Sequence, residues 1–426
     1  MRVPLSWLGE FVELEKGTTA HDVMAQLVKV GLEEEGAHGG DLRGPIVVGK
    51  VLEFVEEEQS NGKTIRWCQV EVAPGDVRGI VCGARNFFVG DKVAVTLPGA
   101  ALPGGFEIAA RKTYGHVSDG MIASSRELGL SDEHDGILRL ETLGLDPDLG
   151  VDVIDLLGLG ESAAEVNVTP DRGYCLSIRG IAREYSHATG KKFSDPAASV
   201  KDLTGAGTAL KVADSAPIHG KQGCHGFFLL GVKNIDATAA VPAWMANRLK
   251  LAGMRSISIA VDITNYVMLE LGQPLHAYDA AKLVGGFIVR RATAGEQIQT
   301  LDEKVRTLNI EDLVIADDQG PVGIAGVMGG ARTEVSSSTT SVILEAAGFD
   351  PISIARTARR HKLPSEASKR FERGVDPRVA PAAAARAAQL LVELAGGELD
   401  GTGADFSEVP DSAQISFPLS FSSELV

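Results

Sequence analysis

The chain has 426 residues, of which 44% are hydrophobic and 23% are charged, a composition that excludes a wholly disordered protein. Lys and Arg number 41 against 57 Asp and Glu, so the net charge of −16 argues against nucleic-acid binding through overall charge and leaves room only for a local basic patch. The length suggests about three domains. No apolar run reaches the ~18 residues of a membrane helix, and residues 1–7 lack a signal core. We therefore expect a cytoplasmic protein without a membrane partner.

The first 150 residues change from a helical pattern to a strand pattern. Residues 1–38 are predicted to be helical, because Thr19 and Asp22 fit a capping box and apolar residues follow from Val23 at helical spacing. Short β-rich runs then alternate with turn residues up to about residue 150, which predicts a small barrel or sandwich. These runs are 46–51, 64–72, 79–82 and 92–97.

The later part of the chain alternates predicted strands and helices. A helix is predicted around 176–182, and residues 196–217, rich in small and polar residues, are predicted to be a linker. Asp350-Pro351 and Asp376-Pro377 each place a capping acid before a proline, which predicts two helix starts. The second helix is predicted to end at Gly396. The predicted strands are 227–232, 287–291, 313–316 and 341–344.

Four cysteines are spread along the chain, at Cys68, Cys82, Cys175 and Cys224. No pair has the CxxC spacing, and no histidine stands at zinc-finger distance from them. We therefore predict buried, reduced thiols and no bound metal.

No standard catalytic signature is present, so the candidate residues keep two interpretations each. Gly323–Gly330, with four glycines, is a tight packed turn or a backbone that approaches a ligand. His276 is a structural histidine or a site residue. Glu345, directly after an apolar run, is a cap or a polar group in a cleft. Ile354–Arg373, with a local charge of +5, is a solvated face or a phosphate-binding strip.

Four motif groups occur in order along the chain: 81–86 with 97–104, 118–121 with 127–129, 261–270 leading into His276, and 359–377. The last group combines Arg-Arg-His, Ser-Glu-Ala-Ser and Phe-Glu-Arg-Gly-Val-Asp-Pro. Together they resemble the N-terminal half of the bacterial phenylalanyl-tRNA synthetase beta-subunit family, without its later domains, and the resemblance covers the whole chain.

The resemblance implies a multidomain α+β fold. Residues 1–38 plus 151–195 would form a helical, or α+β, N-terminal unit that is interrupted by a tRNA-binding OB-fold β-barrel at 39–150, in agreement with the strand spacing. Residues 196–216 would be a linker and 217–400 an α/β editing domain. Residues 401–426 would begin a truncated next domain.

The editing domain of this family hydrolyses tyrosine wrongly attached to phenylalanine tRNA. An apolar synthetic pocket discriminates poorly against an added hydroxyl, whereas a second site that hydrogen-bonds the phenol penalises phenylalanine by leaving a buried polar group unpaired. By similarity, Glu345 accepts the phenol, while Ala367 and Gly329 leave room for the substrate; Thr264 and Ser365 complete the binding set. The implied catalytic residues are His276, Arg255 and Asn265.

No Ser-His-Asp set or metal cluster is visible in the sequence, so we expect no covalent intermediate. Water positioned by His276 and backbone groups would attack the ester, assisted by a ribose hydroxyl of the tRNA. Phosphate contacts are assigned to Arg111, Lys112, Arg359 and Arg360.

The implied partners are tyrosine-mischarged phenylalanine tRNA and an alpha subunit, in a heterotetramer of two alpha and two beta chains. ATP and Mg²⁺ are expected for the full ligase, no cofactor is expected within this chain, and no aminoacylation is expected without the alpha subunit. The alternative is a non-catalytic module for tRNA docking and subunit assembly. A free-standing tRNA-binding protein is a weaker third hypothesis.

Overall fold

The computed structural model describes residues 1–130, 135–408, 414–418 and 420–421. The chain divides into two compact units. The first unit comprises 1–168, 181–194 and 241–256, and the second comprises 169–180, 195–240 and 257–426. Across the described ranges, no helix combines the length and apolar character needed to cross a membrane.

The first unit contains a small antiparallel sheet that the sequence pattern did not predict. Its strands, in spatial order, are Arg2–Pro4, Ser162–Asn167 and Glu33–Gly39. The prediction of a helical 1–38 segment is therefore only partly right, because Glu33–Gly39 finds backbone partners 120 or more residues away. The Thr19–Asp22 capping box is confirmed at the start of the Ala20–Val28 helix. The other helices with residues in this unit are Leu5–Gly9, Val153–Leu156, Ile178–Thr189 and Ala243–Leu251.

A five-stranded antiparallel sheet curls into a nearly closed barrel in the first unit. Its strands are, in spatial order, Met121–Ile122, Lys92–Thr96, Ile46–Glu58, Thr64–Ala73 and Asp76–Cys82. The backbone N–H of Asp119 donates to the carbonyl of Gly79 over 2.9 Å, which links the two edges. The β-runs predicted from the sequence are thus confirmed. Two short hairpins accompany the barrel: Ala101–Leu102 with Phe106–Glu107, and Arg111–Thr113 with His116–Ser118.

The described residues of the second unit form two five-stranded sheets. The central sheet has the order Ala206–Gly207, Glu398–Ser407, Cys224–Lys233, Ser341–Phe349 and Leu275–Asp279. The second sheet has the order Leu210–Ala213, Phe287–Arg291, Leu313–Asp317, Gly320–Ile324 and Met328–Gly329. A separate hairpin pairs Gln297–Gln299 with Val305–Thr307. The two sheets bury one apolar core, to which Leu229 and Val322 contribute.

Four longer α-helices belong to the described part of the second unit: Ile259–Leu271, Pro351–His361, Glu366–Arg373 and Ala380–Ala395. Asp350 caps the second of these as predicted, since its carboxylate accepts from the backbone N–H of Ser353 over 2.8 Å. The predicted start at Asp376 is wrong, because the helix begins at Ala380 with Val379 as its N-cap, and the Asp376 carboxylate accepts from the backbone N–H of Arg378 and from Arg179. The predicted end is confirmed at Gly396, which takes a left-handed φ of 68°.

Short 3₁₀ turns occur in both units, at Leu140–Leu143, Pro170–Cys175, Pro196–Ser199, Ala280–Lys282 and Ala331–Thr333.

Three segment boundaries inferred from the sequence differ from the structure. The segment 196–216 is not a bare linker, because 206–207 and 210–213 join the two sheets by parallel pairing. The boundary at residue 400 falls inside the Glu398–Ser407 strand, which pairs with Cys224–Lys233. Residues 241–256 group with the first unit. Of the predicted next domain, residues 409–413, 419 and 422–426 lie outside the described residues.

Candidate functional site

The candidate site lies on one face of the central sheet, where two neighbouring strands bring their polar residues together. His276 pairs directly with Glu345 in the antiparallel register, and Leu229 pairs with Glu345 from the other side. Since side chains alternate along a strand, His276 and Tyr278 lie on the same face as Glu345. The register therefore gathers three polar side chains that are up to 69 residues apart in sequence.

Glu345 lies in the middle of the Ser341–Phe349 strand, and not at a strand end as the apolar run had indicated. The strand continues because Ala346 pairs with both neighbouring strands and Ala347 still pairs with Phe227. The Glu345 side chain is buried and accepts a short hydrogen bond from the Tyr278 hydroxyl. Burial raises the pKa of Glu345 to about 7, against an opposing effect of the Tyr278 hydrogen bond.

Tyr278 is held firmly in place by aromatic packing. Its ring meets the His276 ring edge-on with centroids 4.5 Å apart, and the Phe287 ring of the second sheet in the same way at 5.2 Å. Only 1% of the residue is exposed. Burial, together with the neighbouring Glu345 charge, raises the pKa of Tyr278 well above its ordinary value, so its hydroxyl stays protonated and acts as a donor.

His276 presents a nitrogen that the described part of the protein leaves without a hydrogen-bond partner. Its Nε2 atom is buried, and no described N–H, O–H or acceptor group reaches it. Burial lowers the pKa of His276 to about 4, so the ring is neutral at physiological pH. A buried polar atom without a partner is costly unless a ligand or water completes it.

Glycine backbone borders the two rings from the second sheet. Gly323 and Gly329 are paired across neighbouring strands. A Cβ atom at Gly329 would stand 2.9 Å from Nε2 of His276, and one at Gly323 would stand 3.8 Å from the Tyr278 hydroxyl. The glycine-rich segment thus packs tightly, as the first interpretation from the sequence predicted, and its approach to a ligand stays a prediction.

The Glu366–Arg373 helix supplies the remaining predicted pocket residues. Ala367 is half-buried and packs against the apolar cluster that contains Tyr278. Ser365 caps the helix, and its hydroxyl donates to the carbonyl of Val327 over 3.1 Å. This contact ties the helix start to the strand turn that carries Gly329.

The other predicted site residues lie outside the two strands that carry His276 and Glu345. Thr264 is buried in the Ile259–Leu271 helix, where its hydroxyl donates to the carbonyl of Val261 over 2.8 Å, and Asn265 is half-buried beside it. Arg255 is exposed and belongs to the first unit. Their predicted contacts with substrate stay predictions.

The cations predicted to contact tRNA fall into two groups. Arg111 and Lys112 are exposed on the Arg111–Thr113 strand, and the Arg111 guanidinium lies 5.3 Å from the centroid of the Phe106 ring. Arg359 is exposed. Arg360 is already bound to the carboxylates of Glu311 and Asp312, so it is largely neutralised within the protein.

Sequence reasoning missed the hydrogen bond between Tyr278 and Glu345. The alternation in Leu275–Asp279 was the available signal, because it places Tyr278 on the same strand face as His276. The sequence does not reveal which group accepts from the Tyr278 hydroxyl. That contact depends on the register between two strands, and its two residues are 67 positions apart in sequence.

Comparison with known proteins gives two family matches within the chain. Residues 46–143 match the model described as "Putative tRNA binding domain", and residues 223–396 match the model described as "B3/4 domain". The first covers the barrel, and the second contains Glu345, His276 and Tyr278. The combination defines the class of protein as one that joins a tRNA-binding domain to a B3/4 domain.

Individual relatives identify the family. The chain is 64% identical to the phenylalanine–tRNA ligase beta subunit of Leifsonia xyli, over 98% of this chain and 51% of that protein. It is 55% identical to the beta subunit of Streptomyces avermitilis, over 94% of this chain and 48% of that protein. The chain belongs to the phenylalanine–tRNA ligase beta-subunit family, and it spans about half the length of these curated relatives.

A solved N-terminal fragment of the phenylalanyl-tRNA synthetase beta subunit from Pyrococcus horikoshii aligns at 12% identity with a TM-score of 0.26, over 56% of this chain and 71% of that chain. That similarity is too low to define the fold.

Proposed function

We propose that this chain removes tyrosine from mischarged phenylalanine tRNA by hydrolysing the aminoacyl ester. The observation that carries the proposal is the buried Glu345 carboxylate, which shares one sheet face with His276 and lies within the B3/4 match. A buried anion beside a histidine nitrogen without a partner supports a site that binds a polar ligand group.

Selectivity in this proposal comes from the para-hydroxyl of tyrosine. The hydroxyl donates to Glu345, and hydrogen bonds to charged acceptors are the stronger kind. Phenylalanine in the same position desolvates the carboxylate without supplying a donor, which costs about 1–3 kcal/mol. Ala367 and Gly329 contribute through their small size, because larger side chains would fill the space beside the ring.

Hydrolysis in this proposal uses a positioned water molecule. His276 is neutral, so its unpartnered Nε2 can accept a hydrogen bond from that water and orient it towards the ester carbonyl. A ribose hydroxyl of the tRNA assists, and no acyl-enzyme forms. Because the ester is labile, positioning supplies much of the rate enhancement.

The remaining parts of the proposal concern the tRNA and the assembly. We infer that the barrel is an OB-fold, that Arg111 and Lys112 contact tRNA phosphates, and that Arg359 adds a contact from the second unit. The proposed setting is a cytoplasmic heterotetramer with two alpha subunits, in which aminoacylation requires ATP, Mg²⁺ and the alpha chain. The matches to beta subunits and to a tRNA-binding domain support this assignment.

The proposal is tested by incubating the chain with tyrosyl- and phenylalanyl-forms of phenylalanine tRNA and following release of each amino acid. We expect faster release of tyrosine, and loss of that preference in Glu345→Ala. Binding of the same tRNA is measured in the same samples. A chain that binds tRNA but releases no amino acid above the buffer rate is a docking module, and the hydrolytic proposal is then wrong; a chain that neither binds nor hydrolyses overturns both.

A further inference from the structure

The two carboxylate oxygens of Glu345 have unequal surroundings. Oε2 accepts the hydrogen bond from the Tyr278 hydroxyl. For Oε1, the described residues provide no hydrogen-bond donor. A carboxylate held at one oxygen and open at the other is suited to accept one further donor from a bound molecule.

Tyr278 is packed too tightly for a bound molecule to displace its hydroxyl from Glu345. Its ring is packed edge-on between His276 and Phe287, at centroid distances of 4.5 and 5.2 Å. The residue is 1% exposed and sits within the core that joins the two sheets. The phenol therefore stays on Oε2 when the site is filled, and an incoming donor meets Oε1.

A glutamate carboxylate has little torsional preference of its own. The terminal χ3 rotation of Glu is broad and roughly two-fold, so an isolated carboxylate would sample many planes. A hydrogen bond at Oε2 from an immobile ring selects one plane and thereby fixes the direction in which Oε1 points. Preorganisation of this kind lets a site discriminate by hydrogen-bond geometry.

We propose that Tyr278 is a positioning residue that sets the selectivity of the site for a para-hydroxylated aromatic side chain, by holding the Glu345 carboxylate so that Oε1 faces the incoming phenol. This inference rests on the proposed function and deepens it. The residue acts through Glu345 and does not itself bind the substrate. A phenylalanine at this position would keep the packing and lose the orientation.

The titratable groups that face Glu345 in the described structure are few. Tyr278 and His276 lie on the neighbouring strand at one side of Glu345, and the Cys224 thiol lies on the neighbouring strand at the other side. Burial, with a smaller effect of the Glu345 charge, raises the pKa of Cys224. Cys224 and Tyr278 remain protonated in the neutral range, and the raised affinity of Glu345 for its proton makes it the group that titrates near pH 7. Loss of the Tyr278 hydrogen bond removes stabilisation of the charged carboxylate and shifts its titration upwards.

The first test compares Tyr278→Phe with the matched control Tyr266→Phe, which removes a hydroxyl from a tyrosine of the second unit that is also 1% exposed. At pH 7.5 we expect Tyr278→Phe to lower the ratio of tyrosine to phenylalanine release about tenfold, with thermal stability close to that of the parent. Tyr266→Phe should keep the parent ratio. In the Glu345→Gln background, adding Tyr278→Phe should leave the ratio unchanged, because the group through which it acts is gone.

The second test reads the carboxylate directly and does not depend on hydrolysis. With ¹³C-labelled glutamate, the Glu345 signal is assigned by its absence in Glu345→Gln, and its titration midpoint should rise by about one pH unit in Tyr278→Phe. An active parent chain whose Tyr278→Phe variant keeps both the release ratio and the midpoint overturns the role of Tyr278 alone. A parent chain that releases neither amino acid overturns the proposed function, and the selectivity role with it, whatever the midpoint shows.

Discussion

The backbone of Gly329 lies directly against the imidazole of His276, so that a Cβ atom at this glycine would stand 2.9 Å from Nε2. Real Cβ atoms essentially never approach so closely, and the same Cβ atom would also stand only 3.0 Å from the Leu301 side chain. The φ angle of Gly329 is not in the left-handed region. Steric contact with the ring, and not backbone strain, is therefore the reason for glycine at this position.

Gly329→Ala should displace the His276 ring and lower the rate of tyrosine release at least tenfold, because misplacement of a positioning group by ~1 Å costs up to a hundredfold. Release kinetics at saturating tRNA measure the effect. Gly226→Ala is the matched control, since the nearest atoms to a Cβ there are 3.7 Å or more away. Equal rates for the two alanine variants would show that the ring position does not matter.

Ala367→Trp should fill the proposed pocket and block tyrosine release, while the fold is kept, because Ala367 is only half-buried at the start of its helix. Release assays and a circular-dichroism spectrum measure the two effects. Ile352→Trp adds the same ring at an exposed position of the Pro351–His361 helix and should release tyrosine at the parent rate. If Ala367→Trp releases tyrosine at the parent rate, the assignment of Ala367 to the pocket is wrong.

Glu345→Gln should gain stability relative to the parent as the pH rises from 5 to 8. In the folded chain the pKa of Glu345 is about 7, against an ordinary value of 4.5, so between these values the folded chain holds a proton that the unfolded chain has lost. The Glu345 contribution to the free energy of unfolding therefore falls as the pH rises through this window, by up to about 3 kcal/mol. Glutamine does not titrate, so the Glu345→Gln variant does not lose this stability as the pH rises.

Unfolding of parent and Glu345→Gln is compared at pH 5 and pH 8. The comparison between variants is needed because the pKa of His276, lowered to about 4 from 6.5, acts in the opposite direction: its contribution to stability rises between pH 4 and 6.5. His276 is present in both proteins, so its effect cancels. A stability difference that does not change with pH would contradict the raised pKa of Glu345.

Asp214→Asn should destabilise the second unit by about 3–5 kcal/mol, because it leaves the buried Arg291 guanidinium without its counter-charge. The two side chains are 3% and 1% exposed and 2.7 Å apart, and Asp214 also accepts from the backbone N–H of Gly223. Denaturant unfolding measures the loss. Glu372→Gln, which removes an ion pair at 3.8 Å from the exposed Arg359, should cost no more than about 1 kcal/mol. Similar losses in both variants would argue against a special role for the buried pair.

Local signals in the sequence predicted local structure well. The Thr19 and Asp350 caps and the Gly396 stop are confirmed because each depends on a side chain or φ angle within a few residues. The Asp376 cap was wrong because the helix begins only at Ala380, while Asp376 accepts from the backbone N–H of Arg378 and from Arg179. The contact with Arg179 joins residues far apart in sequence, which a local pattern cannot reveal.

The candidate site also combines features that could be predicted with long-range contacts that could not. Glu345, His276 and Gly329 were named from a family resemblance, and the structure brings these three together. The bond between Tyr278 and Glu345 was not foreseen, because strand register joins residues that no short-range pattern connects. The segment 196–216 was taken for a linker on composition alone, although Asp214 in it forms a buried ion pair.

The Cys224–Lys233 strand pairs on one side with Ser341–Phe349 and on the other with Glu398–Ser407. The family match to the B3/4 domain ends at residue 396, two residues before that outer strand begins. A recombinant piece trimmed to the matched residues would thus leave a ten-residue hydrophobic strand with a bare row of N–H and C=O groups, which is a template for aggregation. During synthesis on the ribosome, the same edge of the Cys224–Lys233 strand stays unpaired until residue 407 has left the exit tunnel.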